Sequence, residues 1–155
     1  FQTYRSDTIY AKDAGKSDYL SKLGVHDDIN DMFEYLSMPY EMIPELAKYA
    51  NQENIAFMST SFSINDAKHI DPFVSIHKIA SYEINHVRLL EFVAKTKKPI
   101  VISTGMANLD EIDEAYEVAK KYGAKEITLL YCVSNYPSKI HEFNLNNIKI
   151  LILSF

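Results

Sequence analysis

From residue 51 onward the chain alternates short β-rich runs with amphipathic helical stretches, and this alternation restricts its fold more than any other feature. The runs are "IAFMS" (55–59), "VSIHKIA" (74–80), "PIVIS" (99–103) and "EITLLYC" (126–132). They are near-continuously apolar, as parallel strands covered on both faces are. The spacing predicts helices over 40–52, 63–70, 84–97 and 108–122. In "NLDEIDEAYEVAKKYG", Asn108 stands at the N-cap with Glu111 three residues on, acids crowd the first turn, Lys120 and Lys121 fill the last, and Gly123 follows as the stop. Leu109, Ile112, Ala115, Ala119 and Tyr122 form its expected inner face. For the helix before it that face is Ile84, Val87, Leu90 and Ala94, with Pro99 closing the segment. Strand, helix, strand in this order calls for right-handed crossovers and a parallel sheet, so the class is α/β.

Two architectures share that pattern. No G-x-G-x-x-G turn follows any strand, which removes the main dinucleotide signal of a doubly wound sheet and favours a (β/α)8 TIM barrel. A complete barrel takes roughly 250 residues. The 155 residues here would hold about five parallel strands, counting "FQT" as the end of one, in a single incomplete barrel domain over 1–155.

With 47% apolar residues the chain can bury one ordinary core. Sixteen Lys and Arg against twenty-one Asp and Glu leave a formal charge of −5. That balance argues against nucleic acid and anionic membrane surfaces as partners, because both need a basic footprint. Cys132 is single, so no intrachain disulfide can form, and a reducing cytoplasm is the expected location. No stretch approaches the roughly twenty apolar residues of a membrane span, and "FQTYRSDTIY" is no signal peptide. The tail "IKILILSF" reads as an exposed strand-like end, an aggregation liability unless covered. Both ends read as cut.

In barrels the chemistry collects where strands end at their C-termini. Here those ends are polar: Gln2 and Thr3, Ser59 and Thr60, Lys78 and Ser81, Ser103 and Thr104, then Cys132, Ser134 and Asn135. Hydroxyls, backbone amides and one lysine on a common rim suit a phosphate or carboxylate. The ordinary reading of each hydroxyl is that it caps the next helix. Lys78 resists that reading, because lysine is seldom buried unless paired. Glu83, five residues on, either pairs with Lys78 or faces a substrate. The five histidines, His26, His69, His77, His86 and His141, show neither H-x-H nor H-E-x-x-H spacing, so a metal site made from this chain alone is not expected. His77 alternates with Lys78 and should contact helices on the opposite face. Tyr4, Tyr10, Tyr19, Tyr35 and Tyr40 read as packing residues of a long loop and helix.

The segments "FQTY", "AKDAGKSDYL", "FMSTSFS", "HKIASYE", "PIVISTGMANLDEI" and "LLYCVSNYPS", in this order and at this spacing, resemble the N-acetylneuraminate (sialic acid) synthase family up to about residue 148. The resemblance implies a (β/α) barrel that condenses phosphoenolpyruvate with an N-acetylated aldose, N-acetylmannosamine or an analogue. The product is a nine-carbon 2-keto sugar acid, and phosphate is released. It further implies Mn2+ or Mg2+ as cofactor, with ligands that are not in this chain, and a homodimer for the full-length protein. Matched motif to motif, it puts Lys78, Thr60, Ser81, Ser103 and Ser134 around the phosphoenolpyruvate phosphate and carboxylate, and Gln2, Glu83 and Tyr136 towards the amino sugar. Lys78 and Glu83 are the catalytic candidates.

The departures are specific. The family's S-T-P-F is Ser59-Thr60-Ser61-Phe62 here, and its Tyr-Pro-Thr-Pro is Tyr136-Pro137-Ser138-Lys139. The strand with the family's first glutamate, the last two strands with its metal-binding histidines, and the C-terminal antifreeze-like domain have no counterpart, so the isolated chain is expected to be inactive, as a truncated or frameshifted product would be. Two rivals remain open: an aldolase-type lyase using Lys78 as a Schiff-base amine, and a non-catalytic barrel piece completed by a partner.

Overall fold

The computed structural model describes residues 1–22 and 24–155. Its five parallel strands are β1 (Gln2–Thr3), β2 (Thr60–Ser61), β3 (His77–Ile79), β4 (Ile100–Ser103) and β5 (Ile127–Leu130). They pair in the order β1-β2-β3-β4-β5, each beside its neighbour in sequence. A doubly wound sheet would reverse its order at a switch point, whereas a barrel does not. The fold is an α/β partial barrel.

Helices α1 (Ser6–Ile9), α2 (Asp18–Lys22), α3 (Ile29–Leu36) and α4 (Met42–Gln52) lie between β1 and β2. Then α5 (Ile64–Ile70), α6 (Val87–Lys95), α7 (Leu109–Lys121) and α8 (Asn146–Ser154) follow β2, β3, β4 and β5. The α7 capping box forms as its sequence requires: Asn108 Oδ1 accepts from the Glu111 N–H at 3.0 Å, and the Asn108 N–H donates to Glu111 at 2.8 Å.

Strand residues of one parity, Ile79, Ile100 and Ile102, pack against Leu89, Leu90, Val93 and Ala94 of α6 and Ile112, Ala115 and Ala119 of α7. Each isoleucine, leucine or valine among them contributes about 1.5–3 kcal/mol on burial. A smaller cluster joins Ile43, Phe57, Ile70 and Val74. Residues of the other parity line the opposite face of the sheet.

Several expectations are corrected. The second strand is Thr60–Ser61 rather than 55–59, because β1 pairs Gln2 with Thr60 and leaves the earlier residues outside the ladder. Helix α6 starts at Val87, after a 3-10 turn over Ser81–Glu83, so Val87 is 40% exposed and Leu89 and Val93 take the inner face. Leu109 opens α7 and lines a cavity of about 180 Å3 shared with α8. The apolar tail is helical, with Leu151 buried against the core. A helix satisfies its backbone internally, which a lone strand cannot. Tyr4 packs edge-on against Phe33 and Phe62 as expected, but Tyr35 is 89% exposed and is no packing residue of the core.

Candidate functional site

The register places Gln2, Thr60, Lys78, Val101 and Thr128 in one row across the sheet. Their side chains share the face turned away from the helices. Ser103, two residues beyond Val101, shares it too. There the Lys78 ammonium donates to Ser103 Oγ at 2.6 Å and to the Ile79 carbonyl at 2.8 Å. Lys78 is half-buried, and that burial lowers its amine below the ordinary value, with nearby Cys132 acting the other way.

One layer beyond, Ser81 Oγ accepts from the Gly105 N–H at 3.1 Å and contacts Cys132 Sγ at 3.3 Å. Gly105 permits this convergence. A Cβ built there would lie 2.6 Å from the Cys132 carbonyl oxygen and 2.6 Å from Ser134 Oγ. Four predicted residues, Lys78, Ser81, Ser103 and Ser134, are therefore brought together where β3, β4 and β5 end. The Cys132 thiol registers their effect. Burial works to raise it, yet contacts with Ser81, Ser103 and the amides of Thr104 and Gly105 outweigh burial and hold it below the ordinary thiol value. Surroundings that favour a thiolate are surroundings that favour an anion.

Glu83 closes the turn after β3 and meets His86 Nδ1 at 3.1 Å, not Lys78, so the Lys78–Glu83 ion pair weighed from sequence is replaced by a Glu83–His86 pair. Burial raises the Glu83 carboxyl above its ordinary value, His86 opposes this without cancelling it, and the charge of Asp66 adds to the rise. Thr60 sits beside Lys78 in the register, and Gln2 lies beyond it, exposed at the sheet edge. Tyr136 stands at the mouth, and its carbonyl accepts from the Tyr19 hydroxyl.

Other strand-end groups have structural partners. Thr3 and Ser59 pair through their hydroxyls at 2.8 Å on the helix side, and Thr104 donates to the Leu130 carbonyl at 3.1 Å. Asn135 ties its loop to Glu142 at 3.1 Å, and the Lys139 N–H, which a proline would lack, donates to the same carboxylate at 2.9 Å. His77 is buried on the helix side, as its alternation with Lys78 requires. Its Nε2 meets Asp71 at 3.0 Å, and Asp71 also takes Lys98 at 2.7 Å. Among the described residues no three His, Cys, Asp or Glu side chains gather as a metal site.

Sequence reasoning left Gly105 and His86 unassigned. A glycine directly after a strand, with no helix to stop, was a signal for close backbone approach. The i, i+3 spacing of Glu83 and His86 was a signal for their pairing.

The sequence profile of the NeuB family matches residues 1–155. The chain is 37% identical over 155 residues to the N,N'-diacetyllegionaminic acid synthase of Campylobacter jejuni, covering 97% of this chain and 46% of that protein. It is 33% identical over 156 residues to the spore coat polysaccharide biosynthesis protein SpsE of Bacillus subtilis, covering 100% of this chain and 41% of that one. The chain thus spans under half the length of these relatives. Among solved structures, the N-acetylneuraminic acid synthetase of Leptospira borgpetersenii, in complex with citrate, superposes with a TM-score of 0.80 at 26% identity, covering 100% of this chain and 50% of that one.

Proposed function

The chain belongs to the NeuB family, and from that premise we propose that it carries the phosphoenolpyruvate-binding part of a synthase that joins phosphoenolpyruvate to an N-acetylated aldose. The observation that supports this reading best is the convergence of Lys78, Ser81, Ser103, Ser134 and the Gly105 amide at the ends of three adjacent strands. A trianionic substrate in an acidic protein needs just such a local set of donors. Lys78 supplies the charge, and Ser81, Ser103, Ser134 and Thr60 supply hydroxyls to the phosphate and carboxylate.

Gln2, Glu83 and Tyr136 face the amino sugar, which is N-acetylmannosamine or a diacylamino deoxy analogue. In the reaction C3 of phosphoenolpyruvate attacks the aldehyde carbon and forms the new C–C bond, water adds at C2, and the C2–O bond to phosphate breaks. Glu83, largely buried with His86 against it at 3.1 Å, protonates the aldehyde oxygen as the C–C bond forms. The ligands of the divalent cation, Mn2+ or Mg2+, lie outside these residues, and no step here depends on it. We place the protein in the cytoplasm on its single cysteine, Cys132, which suits a reducing compartment.

Calorimetric titration with phosphoenolpyruvate tests the reading. Binding that is unchanged in Lys78→Met would sink it. A borohydride-stable adduct between pyruvate and Lys78 would instead favour a Schiff-base lyase, for which the lowered Lys78 amine is the supporting observation.

A further inference from the structure

The apolar tail folds as α8 beside the start of α7, but the two helices leave a space between them. This is the cavity of about 180 Å3, walled by Ala107, Leu109, Ile112, Ile150 and Leu151 together with the Tyr131 ring. It is separate from the strand-end cluster, because none of Lys78, Ser81, Ser103 and Ser134 lines it. Ile112 and Leu151 are buried and belong to the main core, whereas Leu109 and Ile150 are exposed and form the rim.

Three features specify an occupant. The first is volume: a dry apolar cavity of about 150 Å3 takes one benzene ring, so this space admits a single six-membered ring with a small substituent. The second is charge. No residue lining the cavity carries one, so an ionised ligand would give up its hydration and gain no counterion. The third is the state of the polar groups. The Thr104 hydroxyl, which also lines the cavity, donates to the Leu130 carbonyl at 3.1 Å, and the Asn147 side-chain amide donates to Tyr131 Oη at 3.2 Å. Among the described residues the Tyr131 hydroxyl accepts this bond and donates none, which leaves one O–H for an acceptor on a ligand. A flat ring suits the space better than a chain, since the Tyr131 ring offers edge or offset stacking in addition to apolar contact. Apolar walls with one directed polar group are the usual composition of a small-molecule site.

From this cavity we infer a second binding site, one for an uncharged monocyclic arene that bears a single hydrogen-bond acceptor. Ile112 and Leu151 grip the ring, and the Tyr131 hydroxyl donates to the acceptor. The site stands apart from the anion cluster and does not depend on the synthase reading.

Fluorine NMR titration of the 155-residue chain with para-fluoroacetophenone, para-fluorotoluene and para-fluorobenzoate tests it. The ketone and the toluene should bind, and the charged benzoate should bind at least about tenfold more weakly than the ketone. Nuclear Overhauser contacts should run from the ring protons of the ketone to the methyl groups of Ile112 and Leu151. Tyr131→Phe should weaken the ketone about 2- to 10-fold, the net scale of one hydrogen bond, and leave the toluene unchanged. Leu109→Trp with Ile150→Trp, at exposed rim positions that the fold does not need, should fill the cavity and abolish binding of both neutral probes. Failure of the ketone to bind, benzoate binding as tight as the ketone, or equal loss of ketone and toluene in Tyr131→Phe would each overturn the inference. So would contacts to Tyr136, which would put the ring at the mouth of the strand-end site, or full binding by a folded tryptophan pair. If that pair loses its circular dichroism signature, the contacts to Ile112 and Leu151 in the unaltered chain decide the matter by themselves.

Discussion

Lys78, Glu83 and His77 lie within seven residues of one another, and each side chain responds to its burial differently. The Lys78 ammonium makes two short donor contacts inside a half-buried site. A hydrogen bond to a charged group contributes about 1.5–3 kcal/mol, so Lys78→Met should weaken phosphoenolpyruvate about 10- to 100-fold by calorimetry. Glu83 is raised by burial above 4.5. A carboxyl raised in the folded state favours folding below its ordinary pKa, and that advantage is lost as pH rises through the folded value. Glu83→Gln should therefore raise the melting temperature at pH 7 to 8 and lose this gain near pH 4, while removing the proposed acid. His77 is depressed below 6.5 by burial, with Asp71 opposing. Its unfolded form takes up a proton first as pH falls, so stability present above about 6.5 is lost progressively below it. Asp71, itself held below 3.8, titrates beneath that window. His77→Gln should flatten the melting temperature between pH 6.5 and 5, and an unchanged slope would contradict this account.

The site is held by short connections, and the one after β4 is the tightest. Gly105 brings that connection against Cys132 and Ser134, both in the segment after β5. The Cys132 carbonyl is backbone and cannot swing aside, so Gly105→Ala should cost about 1–3 kcal/mol in chemical denaturation. It should also weaken anion binding by parting Ser81 from Ser134. At the start of α7 the capping box closes between Asn108 and Glu111 and makes no contact with Lys78, Ser81, Ser103 or Ser134. Asn108→Ala should cost about 1 kcal/mol and leave phosphoenolpyruvate affinity unchanged.

The sheet carries its helices on one face and its candidate chemistry on the other. Apolar surface is nonetheless left open on α8, where Ile152 and Leu153 are 73% and 87% exposed. Contiguous apolar surface of this kind drives association. Ile152→Glu with Leu153→Glu should lower the weight-average mass in sedimentation equilibrium if this patch associates, without altering the far-ultraviolet circular dichroism of the sheet.

Much of this arrangement is legible in the amino-acid order. Local rules specify α7 through Asn108, Glu111 and Gly123, and the alternation of His77 with Lys78 separates the helix side of β3 from the site side. The strand-end polar residues are visible too, because strands and their caps are short-range features. What the order of residues could not say is which strand-end hydroxyls serve a ligand. Thr3, Ser59 and Thr104 look like Ser81 and Ser103 in sequence, and only the register between strands gives the first set partners of their own. The same holds for Glu83, which turns to His86, and for the tail, which folds as α8. Each outcome depends on residues distant along the chain, and burial or pairing with those residues sets its energy.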